Sequence, residues 1–87
     1  MAEQMLTKKP LRLWEWREYN TGCLIENGIA LNETGTFIWK LCDGKTTVTE
    51  IIDALCRQFD IRHARAQKDV IALIKLLIAE NALKLKI

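Results

Sequence analysis

The sequence predicts an α+β domain, a small three-stranded antiparallel sheet followed by three helices, and three observations carry that prediction. Two turn signals, Asn20-Thr21-Gly22 and Asn27-Gly28, divide the first thirty residues into short apolar runs. Two capping signals, Asn32 and the pair Thr47 and Glu50, each stand just before a run with helical spacing. A third run, from about Ala64 to Glu80, keeps apolar residues on one helical face over several turns. With 87 residues, 49% apolar and 28% charged, the chain has enough apolar material for one small core and a soluble surface.

Met1 to Pro10 is polar and reads as a loose N-terminus, so the domain is placed at residues 11–87. Leu11 to Arg17 is rich in leucine and tryptophan and reads as the first strand, although Leu13 and Trp14 break strict alternation. Cys23 to Glu26 is the second strand. Asn27-Gly28 readily takes positive φ in a tight hairpin turn, and Ile29 to Leu31 makes a short third strand.

Asn32 caps the first helix, with Phe37, Ile38 and Leu41 facing the core. Gly35 lies in its first turn, where glycine weakens helix propensity, so close packing against a neighbouring backbone is expected. Asp43-Gly44 ends this helix. Thr47 and Glu50 form a capping box for the second, whose apolar face holds Val48, Ile51, Ile52, Leu55 and Phe59. The third helix buries Ala66, Val70, Leu73, Ile74 and Leu77, with Ile71 and Ile78 at one margin. Arg65, Lys68, Ala72, Lys75 and Ala79 fall on the opposite side, and Leu76 has no evident core role. Leu83, Leu85 and Ile87 alternate with Lys84 and Lys86 as a short closing strand. The order is compatible with a winged helix-turn-helix.

The net charge of +2 is small, but its distribution is uneven. After residue 60, Arg62, Arg65, Lys68, Lys75, Lys84 and Lys86 outnumber Asp69 and Glu80. That balance favours an acidic partner, and it is also what an ordinary solvated face would show. Cys23, Cys42 and Cys56 are widely spaced, without a C-x-x-C pair and with His63 as the lone histidine. A zinc site needs about four ligands, so buried thiols in a reducing cytosol fit better. Met1 to Pro10 lacks the apolar core of a signal peptide, and Val70 to Ala79, interrupted by Lys75, is too short to span a membrane. A cytoplasmic protein is expected. Phosphate-binding loops and the common hydrolase motifs are missing. The carboxylates are scattered, and His63 and Cys56 have no activating neighbour in the sequence. No enzymatic activity, metal or cofactor is expected.

Leu31-Asn32-Glu33-Thr34-Gly35, Ile38-Trp39, Leu41, Asp43-Gly44, Thr47-Val48, Glu50-Ile51-Ile52, Leu55 and Phe59-Asp60 resemble the PqqD-like family, the recognition elements for ribosomally made precursor peptides. Asp69-Val70, Leu73-Ile74, Leu77 and Asn81-Ala82-Leu83 extend the resemblance over about two thirds of the chain. The family usually carries glycine where Asn81 or Ala82 stands. The resemblance implies a winged-helix fold that binds the leader segment of a precursor peptide rather than DNA. The leader would add to the third strand and lie against the third helix. It would then be presented to a radical-SAM enzyme, as in pyrroloquinoline quinone-type pathways, or to a leader peptidase.

The residues suit such a role. Ile29, Ala30 and Leu31 form a short strand whose edge can accept another strand. Ile71 and Ile78 suit apolar anchoring and equally suit ordinary core packing. Lys68 and Lys75 can pair with leader carboxylates, and Ala72 lies between them. Trp39 suits core or interface, and one of Trp14 and Trp16 is expected to face outward. The alternative is a DNA-binding winged helix-turn-helix regulator that uses Arg62, Arg65, Lys68 and Lys75. Ala72 and Ala79 on the same face disfavour it, because base readers place polar side chains there. An exposed strand edge also leaves a homodimer open.

Overall fold

The computed structural model describes residues 2–87. In chain order the elements are α1 (Ala2–Leu6), β1 (Lys9–Arg12), β2 (Trp16–Tyr19), β3 (Gly22–Ile25), β4 (Ala30–Leu31), α2 (Glu33–Lys40), α3 (Val48–Phe59), α4 (His63–Ala79) and β5 (Leu83–Lys86). The strands form two antiparallel sheets, β2-β3-β4 and β1-β5. The predicted class holds: a small three-stranded sheet precedes three helices.

The N-terminal third departs from the sequence reading. The segment read as loose contains α1 and the first half of β1, and Pro10 is fully buried. Met1, the first residue of that segment, lies outside the described residues. The Lys8 carbonyl accepts from the Val48 amide and the Leu6 carbonyl from the Thr49 hydroxyl, so the segment is tied to the start of α3. The single strand read at Leu11 to Arg17 is two strands in different sheets. The break falls at Leu13 and Trp14, where alternation fails. Leu13 N–H donates to Ala82 O and Trp14 Nε1–H to Asn81 O, so this crossover is fastened to the end of α4.

Four residues, Glu26 to Ile29, join β3 and β4, and the Ile25 amide donates to the Ile29 carbonyl, which closes a three-residue loop of Glu26, Asn27 and Gly28. Only Gly28, at φ 103°, takes positive φ; Asn27 instead accepts from the Ile29 amide through its side chain. Three-residue hairpin loops need a left-handed residue at this last position.

The helices start as read. Asn32 Oδ1 accepts from the Gly35 amide, and Thr47 and Glu50 form the full reciprocal capping box. Two orphan amides are thereby satisfied at the head of α3. Thr47→Ala should therefore cost about 1 kcal/mol, read as a lower melting temperature, and Thr47→Ser should restore most of it. α2 ends at Lys40, earlier than Asp43-Gly44. Asp43 instead organises the turn into α3, accepting from the amides of Lys45 and Thr46. Gly35 is close-packed, but against a side chain: an added Cβ would lie 3.2 Å from Leu31 Cβ.

α4 ends as a Schellman motif. Ala82 N–H donates to Leu77 O, Asn81 N–H to Ile78 O, and Asn81 sits at φ 59°. Asparagine tolerates this left-handed position, which explains how the helix ends without the expected glycine.

One core joins the layers. Trp39 of α2, Ile51, Ile52 and Leu55 of α3, Val70, Ile74 and Leu77 of α4, and Cys23 and Ile25 of β3 are all buried in it. Each fully buried aliphatic side chain contributes roughly 1.5–3 kcal/mol, so the helices are held by their faces more than by propensity.

Candidate functional site

β4 is the edge of its sheet, paired only with β3 among the described residues. The Ile25 amide donates to the Ile29 carbonyl, so positions 25 and 29 are a hydrogen-bonded pair. Alternation then makes Leu24 and Ala30 a non-hydrogen-bonded pair, with the Ala30 amide and carbonyl pointing away from β3. Ala30 is exposed, Leu31 belongs to the core and Ile29 packs against it. Of the three predicted strand residues, Ala30 thus offers main-chain groups, while Ile29 and Leu31 hold the strand in place.

α4 separates two faces. Ala66, Val70, Ile74 and Leu77 are buried. On the far side, Ala64, Gln67, Lys68, Ile71, Ala72 and Lys75 line a groove of about 470 Å³. The small alanines leave room between the longer side chains. Four of the predicted residues, Lys68, Ile71, Ala72 and Lys75, are brought together there. The two margin isoleucines divide: Ile78 packs against the core cluster, whereas Ile71 lines the groove. Ala64 and Gln67 were missed by the sequence reading. Ala64 lies one turn before Lys68 and Gln67 one turn before Ile71, which puts them on the same stripe, and a wheel centred on Lys68 finds them.

Neither Lys68 nor Lys75 has an ion-pair partner among the described residues. Arg65, by contrast, is engaged by Asp69 at 3.1 Å. Trp14 is the outward-facing tryptophan at 44% exposure, while Trp16 packs on the core with the Arg12 guanidinium 5.8 Å from its ring centroid. Leu76, which had no core role in the sequence, is exposed.

Among the described residues His63 Nε2 lies 3.6 Å from Asp53 Oδ1, with both side chains exposed. Burial pushes the Cys42 thiol up to about 12, partly opposed by the Arg12 charge, and its Sγ lies 3.3 Å from Ile38 O. Below pH 9 the unfolded chain and the folded one both carry the neutral thiol. Between about 9 and about 12 only the unfolded chain ionises, so this group's stabilisation is lost as pH rises through that window. Cys42 should therefore resist alkylation in the native protein at pH 8 and react once urea unfolds it, as mass spectrometry of iodoacetamide-treated samples would show. Desolvation raises the Asp43 carboxyl, but bonds from the Lys45 and Thr46 amides and the Thr46 hydroxyl outweigh it and leave it below the ordinary value. Among the described residues no cluster of three or more His, Cys, Asp or Glu is placed to hold a metal, and no helix is long and apolar enough to cross a membrane.

A short three-stranded sheet with β4 at an edge, followed by a three-helix layer whose last helix carries an open groove, defines a winged helix-turn-helix-like domain. The model of the family described as Coenzyme PQQ synthesis protein D (PqqD) matches residues 24–83, and the chain belongs to that family. The PqqA binding protein of Methylococcus capsulatus is 38% identical over 61 residues, which cover 67% of this chain and 66% of that relative, just under two thirds of its length. No solved structure matches the chain significantly.

Proposed function

We propose that this chain binds the leader segment of a ribosomally made precursor peptide and presents it to a modifying enzyme, a radical-SAM protein or a leader peptidase, without performing chemistry itself. The observation that carries this reading is the α4 groove, where Ile71 lies between two lysines free of ion-pair partners among the described residues. Family membership and the name of the Methylococcus relative support a pyrroloquinoline quinone-type pathway. In this reading the leader adds to β4 through the main chain of Ala30, with Ile29 and Leu31 fixing the strand. Ile71 and the exposed part of Ile78 anchor its apolar side chains over Ala72. Lys68 and Lys75 pair with its carboxylates, each such exposed pair being worth only ~0–1 kcal/mol, so the apolar anchor dominates.

Calorimetry with a synthetic leader peptide from the gene neighbourhood, at low and moderate salt, tests this. Binding should change little with salt, and Ile71→Asp should weaken it at least about tenfold, roughly 1.4 kcal/mol, while the melting curve stays cooperative. No binding to any neighbouring leader would overturn the proposal. Binding to duplex DNA that weakens steeply with salt would favour the regulator instead. Of the four cations that regulator would use, Arg65 is paired with Asp69 in an exposed contact, worth only ~0–1 kcal/mol.

A further inference from the structure

A second cavity lies away from the α4 groove, where α2 and the end of α3 meet the β2-β3 hairpin. Its volume is about 190 Å³, below the roughly 300–1,000 Å³ of small-molecule sites, so it admits one side chain rather than a cofactor. α2 gives it a single stripe, Glu33, Thr36, Phe37 and Lys40, whose spacing of three and four residues puts them on one face. Gln58 and Phe59 close it from α3, and Glu18 and Thr21 from the hairpin. It shares no lining residue with the groove.

Three features set what this cavity accepts. Phe37 and Phe59 are half-buried and meet edge to face, with ring centroids 5.4 Å apart and planes at 86°. A perpendicular pair leaves a ring face free for a third group, and an aromatic face attracts a cation. Carboxylates outnumber cations in the wall. Lys40 Nζ is held by Glu18 Oε2 at 2.6 Å, and Glu33 has no ion-pair partner among the described residues. Glu33 stands seven residues from Lys40, about 10 Å along the helix, at the other end of the stripe. The third feature is the C-terminus of α3. The carbonyls of Gln58 and Phe59 have no backbone partner among the described residues, because Asp60, at φ 53°, returns its amide to Cys56 O. The negative end of the helix dipole therefore lies at the same cavity. All three favour a cation with flat faces. An anion would be repelled, and an aliphatic side chain would leave Glu33 and the carbonyls without a partner.

We infer that this cavity anchors a single arginine side chain of a partner protein, at a site separate from β4 and α4. The guanidinium is planar, so it stacks on a phenylalanine ring while its in-plane N–H groups donate to the Glu33 carboxylate and to the carbonyls at the end of α3. A lysine ammonium, compact and strongly hydrated, gains less from the rings. Arginine is also among the residues that dominate binding energy at protein interfaces. The inference does not depend on what occupies the α4 groove.

The probe is a capped glycine–arginine–glycine tripeptide, titrated into the full-length, 15N-labelled protein, with the citrulline and lysine tripeptides as controls. Citrulline keeps the shape of arginine and lacks its charge. The arginine peptide should give saturable shifts at the amides of Thr21, Glu33, Thr36 and Gln58 and leave Ala30 and Ile71 unshifted. The citrulline peptide should bind at least about tenfold more weakly, having lost the charge that all three features select. Glu33→Gln should weaken the arginine peptide about fivefold. Glu33 is exposed and outside the core cluster, so this variant stays folded. Phe37→Leu keeps an apolar side chain against the core and removes the ring, and it should weaken binding at temperatures where its melting curve shows it folded. Equal binding of the citrulline peptide would reduce the cavity to an apolar dent and overturn the inference. Equal binding of the lysine peptide would reduce it to a charge patch and overturn it too. Unchanged affinity in Glu33→Gln, shifts that never saturate, or shifts centred on Ala30 or Ile71 would each do the same.

Discussion

Trp39→Ala should destabilise the domain by about 3–5 kcal/mol, the range for emptying a large buried aromatic site. Trp39 is fully buried in α2, in the same cluster as residues of α3, α4 and β3. Its removal leaves a void shared by several elements, and no single loop can collapse to fill it. A domain of this size has a total stability of only ~4–13 kcal/mol, so the variant should lose at least ~12 °C of melting temperature. Trp39→Phe should be much milder. The Trp39 Nε1–H is buried and finds no hydrogen-bond partner in the protein, and a buried unpaired donor costs about 1–3 kcal/mol. Phenylalanine leaves a smaller cavity and removes that donor, so the two effects oppose each other. Urea titrations of the three proteins would show this ordering. A Trp39→Ala melting point within a few degrees of the parent would mean that Trp39 does not anchor the core.

Legibility in the sequence followed the range of the interactions. α2 and α3 were readable because their caps are local: Asn32 reaches Gly35, and Thr47 and Glu50 reach each other. The inner face of α4 was readable because periodicity alone separates Val70, Ile74 and Leu77 from Lys68, Ala72 and Lys75. The N-terminal third was not, because long-range bonds fix it. Nothing near Lys8 or Pro10 in the sequence announces that they meet Val48 and Gly44. Pro10 reads as the end of a loose segment, yet its missing N–H costs nothing at a β1 position that makes no ladder bond to β5. For the candidate site, the wheel predicted the four clustered α4 residues but left Ile71 and Ile78 equivalent. Only the packing of α4 on the core distinguishes them. The pairing of Lys9 with Lys86 joins the two ends of the described chain, and no local pattern encodes it.

Gly22→Ala should damage β4 while sparing the α4 groove, and so separate the two halves of the proposed leader site. A Cβ at Gly22 would fall 2.5 Å from the Leu31 carbonyl oxygen, a backbone atom that cannot rotate away. Leu31 pairs with Cys23, the next residue along β3, and its carbonyl also accepts from the Thr36 hydroxyl at 3.4 Å. Relief of the clash must therefore move β4 away from β3 or tilt the start of α2. Overpacking of this kind costs about 1–3 kcal/mol, and here the displacement is imposed on the strand whose Ala30 edge is proposed to receive the leader. The expected signature has two parts: faster amide exchange at β3 and β4, and weaker leader binding even at temperatures where the variant is fully folded. Ala64, Gln67 and Ile71 should keep their parental chemical shifts, because the groove is built by α4 alone. Gly28→Ala is the informative comparison. It meets nothing within 4 Å, so its strain comes only from φ 103° in the loop. If Gly22→Ala binds leader as well as the parent, strand addition at β4 is not the route of recognition, and the α4 groove must capture the peptide by side chains alone.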